Sequence, residues 1–94
     1  MKKENLRLEK LPSISASVPT QLADNNGSRW KLRIRTSSLN GIYVGLDDGV
    51  VAETAFFLPQ NNELRVEKYK GPIWALSCAG VADVYIYEES YAEK

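Results

Sequence analysis

The sequence predicts an all-β fold, an antiparallel β-sandwich or small barrel of six to seven short strands with an extended N-terminal arm. Apolar and polar residues alternate with a period of two in several segments, which is typical of half-buried strands. Clusters of Gly, Asn, Asp and Pro separate these segments, and none has the pattern of a long helix. The length of 94 residues limits the chain to one domain.

The N-terminal segment MKKENLRLEKLP, residues 1–12, is predicted to be a flexible arm outside the sandwich. Its leucines Leu6, Leu8 and Leu11 do not define a helical face. Pro12 disfavours helix at the residue before it. We expect the arm to order on a neighbouring subunit, with Leu6 and Leu8 as contacts, and the alternative is a frayed terminus without a role.

The predicted sandwich domain spans residues 13–89, and a loose acidic tail is predicted at residues 90–94. The first predicted strand is the segment in which Ile14, Ala16 and Val18 alternate with serines. The cluster ADNNGS then predicts a turn, because Asn and Gly tolerate a positive φ.

The clearest predicted strand is RWKLRIRT, residues 29–36. Its apolar face consists of Trp30, Leu32 and Ile34. The opposite face is predicted to carry a cation row formed by Arg29, Lys31, Arg33 and Arg35.

The cation row has three interpretations. It is a solvated face whose charges meet Glu63 and Glu67 on a neighbouring strand, a surface that docks on an acidic protein, or a contact with nucleic acid. The 12 basic and 12 acidic side chains give zero net charge, which argues against a nucleic-acid partner. Trp30 also points away from the cations, so a base-stacking platform and the cations are separated.

The remaining strands follow at short spacing. Asn40 and Gly41 predict a hairpin in which IYVGL is the partner strand of RWKLRIRT, and Ala79 and Gly80 predict the turn of a closing hairpin between IWALSC and DVYIYEE. VVAETAFFLP is ambiguous between a strand and a covering loop. ELRVEKY, IWALSC and DVYIYEE complete the set. The chain has more aromatic residues than one thin core needs, so some are expected on the surface as protein contacts. The candidates are Tyr43, Tyr85 and Tyr87.

No catalytic, cofactor-binding or metal-ligating residue is predicted, so the chain is not expected to be an enzyme. It contains no histidine, which excludes Ser-His-Asp and Cys-His nucleophilic sites. The single cysteine, Cys78, has no base or cation nearby in sequence and is interpreted as a buried structural thiol. The DDG segment at residues 47–49 lacks the spacing of a calcium loop and is interpreted as a turn.

No membrane partner is expected. The N-terminus lacks the apolar run of a signal peptide, and no segment approaches the ~20 apolar residues that span a bilayer. With one cysteine, an intramolecular disulfide is impossible, and the chain is expected to be made in a cytoplasm.

Residues 30–88 resemble small β-sandwich structural proteins of tailed bacteriophage virions, of the decoration, cement or accessory head and connector type. The resemblance rests on LRIRTSSLNGIYVGLDDGV and ELRVEKYKGPIWALSCAGVADVYIYEE. Within them IYVG, GPIWA and ADV match the family outline, together with Tyr69 and Glu88. These are framework residues of a sandwich, and the N-terminal arm is not covered.

The resemblance implies a non-enzymatic virion protein without a cofactor that decorates or cements a capsid shell. Its partners would be the major capsid protein or other virion subunits, with homo-oligomeric or lattice-bound copies in a virion assembled in the host cytoplasm. A head–tail connector, collar or tail component is the first alternative, and an OB-like nucleic-acid-binding module is the second. The candidate interface residues are Arg29, Lys31, Arg33, Arg35, Tyr43, Tyr85, Tyr87, Leu6 and Leu8.

Overall fold

A computed structural model describes residues 4–50 and 55–91 of the chain. In this part of the chain eight strands form two four-stranded sheets. The strands are β1 Glu4–Ile14, β2 Thr20–Ala23, β3 Arg29–Thr36, β4 Ile42–Gly45, β5 Phe56–Leu58, β6 Glu63–Glu67, β7 Ile73–Ser77 and β8 Ala82–Tyr91. The predicted antiparallel β-sandwich is confirmed, with eight strands in place of six to seven.

The strand order is β1-β8-β3-β6 in the first sheet and β2-β7-β4-β5 in the second. Every described strand pair is antiparallel. Most connections cross from one sheet to the other, and only β4 and β5 are consecutive neighbours within a sheet. The two predicted hairpins are therefore wrong, because β3 and β4 lie in different sheets, and so do β7 and β8. This order is that of an eight-stranded jelly roll.

The core lies between the two sheets, where alternate residues of facing strands are buried. The first sheet contributes Leu32 and Ile34 from β3, with Val84 and Ile86 from β8. The second sheet contributes apolar residues of all four strands: Leu22, Ala23, Ile42, Val44, Leu58, Ile73 and Ala75. The period of two therefore assigns the core side correctly in DVYIYEE and in RWKLRIRT from Leu32 onward, whereas the predicted core residue Trp30 is only half-buried and Arg29 is buried in its place.

The structure corrects the prediction of an arm at residues 1–12. Residues 4–12 belong to β1, which pairs with β8 from Glu4 onward. The strand was missed because its alternation is inverted: the leucines Leu6 and Leu8 are 58% and 69% exposed, whereas charged residues alternate with them on the inner side. Residues 1–3 lie outside the described residues.

Two further boundaries differ from the prediction. β1 ends at Ile14, so the predicted strand through Val18 is absent. The Ser15 hydroxyl instead accepts hydrogen bonds from the backbone N–H groups of Ser17 and Val18, at 2.9 and 3.1 Å, and closes a turn. At the other end Ser90 belongs to β8 rather than to a loose tail, and residues 92–94 lie outside the described residues.

The ambiguous segment VVAETAFFLP contains β5 at Phe56–Leu58, which pairs with β4. Residues 51–54 of that segment lie outside the described residues. The DDG segment is confirmed as a turn, since the Gly49 N–H donates to Asp47 Oδ1 at 2.9 Å.

Candidate interaction surface

The outer face of the first sheet, which points away from the second sheet, displays side chains from all four strands. Because directly opposed residues of antiparallel strands point to the same side, the register defines rows across the sheet. One row runs through Leu8, Tyr87, Arg33 and Arg65. The next row runs through Lys10, Tyr85, Arg35 and Glu63.

This outer face brings together most of the candidate interface residues. They are Leu6, Leu8, Lys31, Arg33, Arg35, Tyr85 and Tyr87. The sequence predicted that the cations lie on the face opposite Trp30, without aromatic neighbours. In the structure β8 pairs with β3 and brings two tyrosines beside them. Contact of these residues with a partner stays a prediction.

Cationic side chains of β1 and β3 lie near the rings of Tyr85 and Tyr87. The Arg33 guanidinium carbon lies 4.8 Å from the Tyr87 ring centroid. The Tyr85 ring is approached from both sides, by the Arg35 guanidinium carbon and Lys10 Nζ, each 5.7 Å from its centroid. Each such contact stabilises by about 0.5–1 kcal/mol at exposed sites. Both tyrosine rings therefore lie against cationic groups of the neighbouring strands.

Carboxylates of β6 balance the cations of β3. Glu63 lies between two guanidinium groups, with Oε2 3.8 Å from Arg33 Nη1 and Oε1 3.7 Å from Arg65 Nη2. Lys31 is opposite Glu67 in the register. The expected meeting of the cation row with Glu63 is seen in the ion pair of Arg33, and Glu67 lies on the same face opposite Lys31. The face is thus one of mixed charge rather than a basic patch.

A shallow groove of about 210 Å³ crosses this face. Its lining combines a leucine, two tyrosines and charged groups: Leu8, Arg33, Arg35, Glu63, Tyr85 and Tyr87. Apolar and aromatic surface thus alternates with ion pairs, which is the composition of a protein-binding surface.

Arg29 does not share the outer face, so that part of the prediction is wrong. β3 bulges against β8 between Arg29 and Lys31, which turns the Arg29 side chain inward until it is 1% exposed. Its guanidinium donates to Glu88 Oε2 at 3.1 Å. The backbone carbonyls that also accept from it are those of Asp24 at 3.1 Å, Tyr69 at 3.0 Å and Gly71 at 2.6 Å.

Glu88 joins the buried Arg29 to a second, half-buried arginine and completes an ion triad of Arg7, Glu88 and Arg29. Arg7 Nε donates to Glu88 Oε1 at 2.9 Å, so both carboxylate oxygens are engaged. The triad lies at the end of the core, where Arg7 and Glu88 line a polar cleft of about 360 Å³ between β1, β2 and the segment after β2. The sequence contains a signal for this triad, because Glu88 occupies the next core-facing position of β8 after Val84 and Ile86.

Tyr43 lies on the outer face of the second sheet, away from the other candidates. Its ring is 5.9 Å from that of Phe57 with a tilt of 54°. Cys78 lies beyond the end of β7 and is half-buried rather than buried. Burial raises the pKa of the Cys78 thiol, and a hydrogen bond with Tyr43 lowers it in part. The thiol is therefore protonated at neutral pH, which favours its structural interpretation.

Within residues 4–50 and 55–91, no group of three or more His, Cys, Asp or Glu side chains is placed to hold a metal ion. The same part of the chain contains no helix with the length and apolar character to cross a bilayer.

The chain resembles known proteins in fold rather than in sequence. No family model matches it, and no curated protein matches its sequence. A solved structure from work describing Bacillus endospore appendages as a novel family of disulfide-linked pili matches with a TM-score of 0.59. The match covers 100% of this chain and 92% of that chain at 11% sequence identity. That neighbour is a β-rich structural protein, and the likeness shows a shared fold without a link to phage.

Proposed function

We propose that this protein is a non-enzymatic structural subunit that acts by assembling with further copies of itself. The observation that carries the proposal is the outer face of the first sheet. There Leu8 is 69% exposed beside Tyr87, whose ring is held by Arg33. Tyr and Arg are the residue types that dominate the binding energy of protein interfaces.

The charge pattern favours protein over nucleic acid as the partner. A nucleic-acid footprint needs cations that are free to neutralise phosphates. Here Glu63 lies between Arg33 and Arg65, and Glu67 is opposite Lys31. The eight-stranded jelly roll also differs from the five-stranded barrel of an OB fold.

The fold neighbour supports self-assembly as the form of this function. The appendages to which it belongs are described as pili, and the shared fold extends over the whole of this chain. A repeating subunit of an appendage is therefore the preferred form of the proposal. Decoration of a phage capsid is the narrower alternative, and it rests on the framework residues IYVG, GPIWA and ADV alone.

Replacement of Tyr87 by Ser tests the proposal. We expect the wild-type protein to self-associate with increasing concentration in sedimentation velocity, and to form regular assemblies in negative-stain electron microscopy. Tyr87→Ser should weaken the association by about 30-fold, the effect of losing a residue that contributes about 2 kcal/mol. Phe57→Ser is the matched control, because Phe57 is a 48% exposed aromatic residue on the other sheet.

Three results would overturn the proposal. The first is a wild-type monomer at every concentration, with binding only to preformed particles, as the capsid-decoration alternative predicts. The second is equal weakening by the Tyr87 and Phe57 variants. The third is salt-dependent binding to single-stranded DNA that is lost on Arg33→Glu, which would indicate a nucleic-acid-binding module.

A further inference from the structure

β1 is an edge strand of the first sheet, and it is long and regular. Among the described residues, β8 is the strand that pairs with it, and the register runs without interruption from Glu4 to Leu11. Edge strands are normally protected against pairing by prolines, bulges, short length or charged side chains. β1 carries the inner-side charges Arg7 and Glu9, and these are of opposite sign, so they oppose pairing only in registers that bring like charges together. Here Pro12 and Ser13, whose φ is 59°, break only the far end of the strand. Residues 4–11 keep a free edge eight residues long.

The side chains along this free edge are self-complementary. Leu6 and Leu8 point to the outer face and are 58% and 69% exposed. Arg7 and Glu9 alternate with them on the inner side and form an ion pair with each other. An antiparallel second copy that places Leu8 opposite the partner's Leu8 also places Arg7 opposite the partner's Glu9.

Other registers are less favourable. In an antiparallel pair related by a two-fold axis perpendicular to the sheet, the axis lies midway between one residue and the same residue of the second copy. Centring on Arg7 or on Glu9 opposes two like charges, which destabilises an antiparallel pair. Centring on Leu6 leaves only a short overlap, because the described strand begins at Glu4. The register centred on Leu8 avoids like charges and uses the strand from residue 5 to residue 11.

We infer that the protein forms a symmetric dimer by antiparallel pairing of β1 with β1 of a second copy, centred on Leu8. The inference rests on the proposed function and deepens it by naming the partner strand and register of one contact of the assembly. A two-fold contact closes on itself, so a repeating assembly joins these dimers through a second surface. It unites the first sheets, four strands from each copy, into one continuous sheet. Tyr87 and Leu8 then meet the partner's Leu8 and the partner's Tyr87 in an unbroken apolar row on the outer face.

Cysteine cross-linking tests the register directly. Leu8→Cys is made together with Cys78→Ser, so that the chain carries one thiol. Opposed Cβ atoms at the two-fold axis are about 4.5–5.5 Å apart, and oxidation or a short bis-thiol reagent should give covalent dimers on a non-reducing gel. Leu6→Cys in the same background is the matched control. Its thiols would lie four positions out of register, about 13 Å apart, and should not cross-link.

A mixed sample sharpens the test. The register places Leu6 opposite the partner's Lys10, so Leu6→Cys and Lys10→Cys chains should cross-link when mixed and not when oxidised separately. Absence of the Leu8→Cys dimer, or equal cross-linking of Leu6→Cys alone, would overturn the inference. If the cross-linking test fails in this way but Tyr87→Ser still abolishes assembly, the proposed function stands without the pairing through β1. A wild-type chain that is monomeric throughout overturns both.

Discussion

At the scale of single residues, the stability of the sandwich depends on Glu88. It is the carboxylate that balances Arg29, which is 1% exposed and lies at the end of the core. Removal of one partner from a buried ion pair leaves the other charge without compensation. We therefore expect Glu88→Ala to lower the free energy of unfolding by about 3–5 kcal/mol, measured by urea denaturation with an unchanged slope.

The neighbouring residue provides the control for this substitution. Glu89 lies on the outer face, opposite Lys31 and Leu6, where water screens its charge. Glu89→Ala should change the free energy of unfolding by no more than about 0.5 kcal/mol. Similar losses from Glu88→Ala and Glu89→Ala would show that the triad does not act as a buried ion pair.

At the scale of elements, the question is whether the N-terminal segment is a flexible arm or the strand β1. A flexible arm could be deleted without effect, whereas a strand paired with β8 and packed through Leu11 against the core could not. We expect deletion of residues 1–11 to abolish the cooperative thermal transition seen by circular dichroism. The deletion exposes the backbone of a 10-residue strand, β8, at a new sheet edge.

Two controls keep this truncation interpretable. Deletion of residues 1–3 stops before β1 and should leave the transition in place. A synthetic peptide covering residues 1–14, added in trans, should restore it by pairing with β8. An unchanged melting temperature after deletion of residues 1–11 would mean that residues 1–12 form a flexible arm, as the sequence predicts.

The same elements show what the sequence could reveal and what it could not. The core side of β3 and β8 was predictable, because burial of one sheet face imposes a period of two. β1 was not, because its leucines point outward, and Arg29 was not, because a bulge reverses the side chain locally. The meeting of Tyr87 with Arg33 needs the pairing of β8 with β3, which are distant in sequence, and no local pattern encodes that pairing.

At the scale of the whole molecule, small size makes assembly a source of stability. The molecule measures 45 × 23 × 17 Å, and a chain of 94 residues buries a smaller fraction of its surface than a larger domain does. A partner that binds only the folded chain adds to that stability by mass action. The melting temperature of a chain that pairs through β1 should therefore depend on its concentration.

For a dimer that melts to two unfolded chains, each tenfold rise in concentration adds about 1.4 kcal/mol per dimer, or about 0.7 kcal/mol per chain. In a domain of this size that raises the melting temperature by about 3–6 °C, measurable by scanning calorimetry between about 5 and 500 µM. Leu8→Glu should remove the dependence, because it opposes two carboxylates at the two-fold axis. A melting temperature of the wild-type chain that stays constant over this range would contradict pairing through β1.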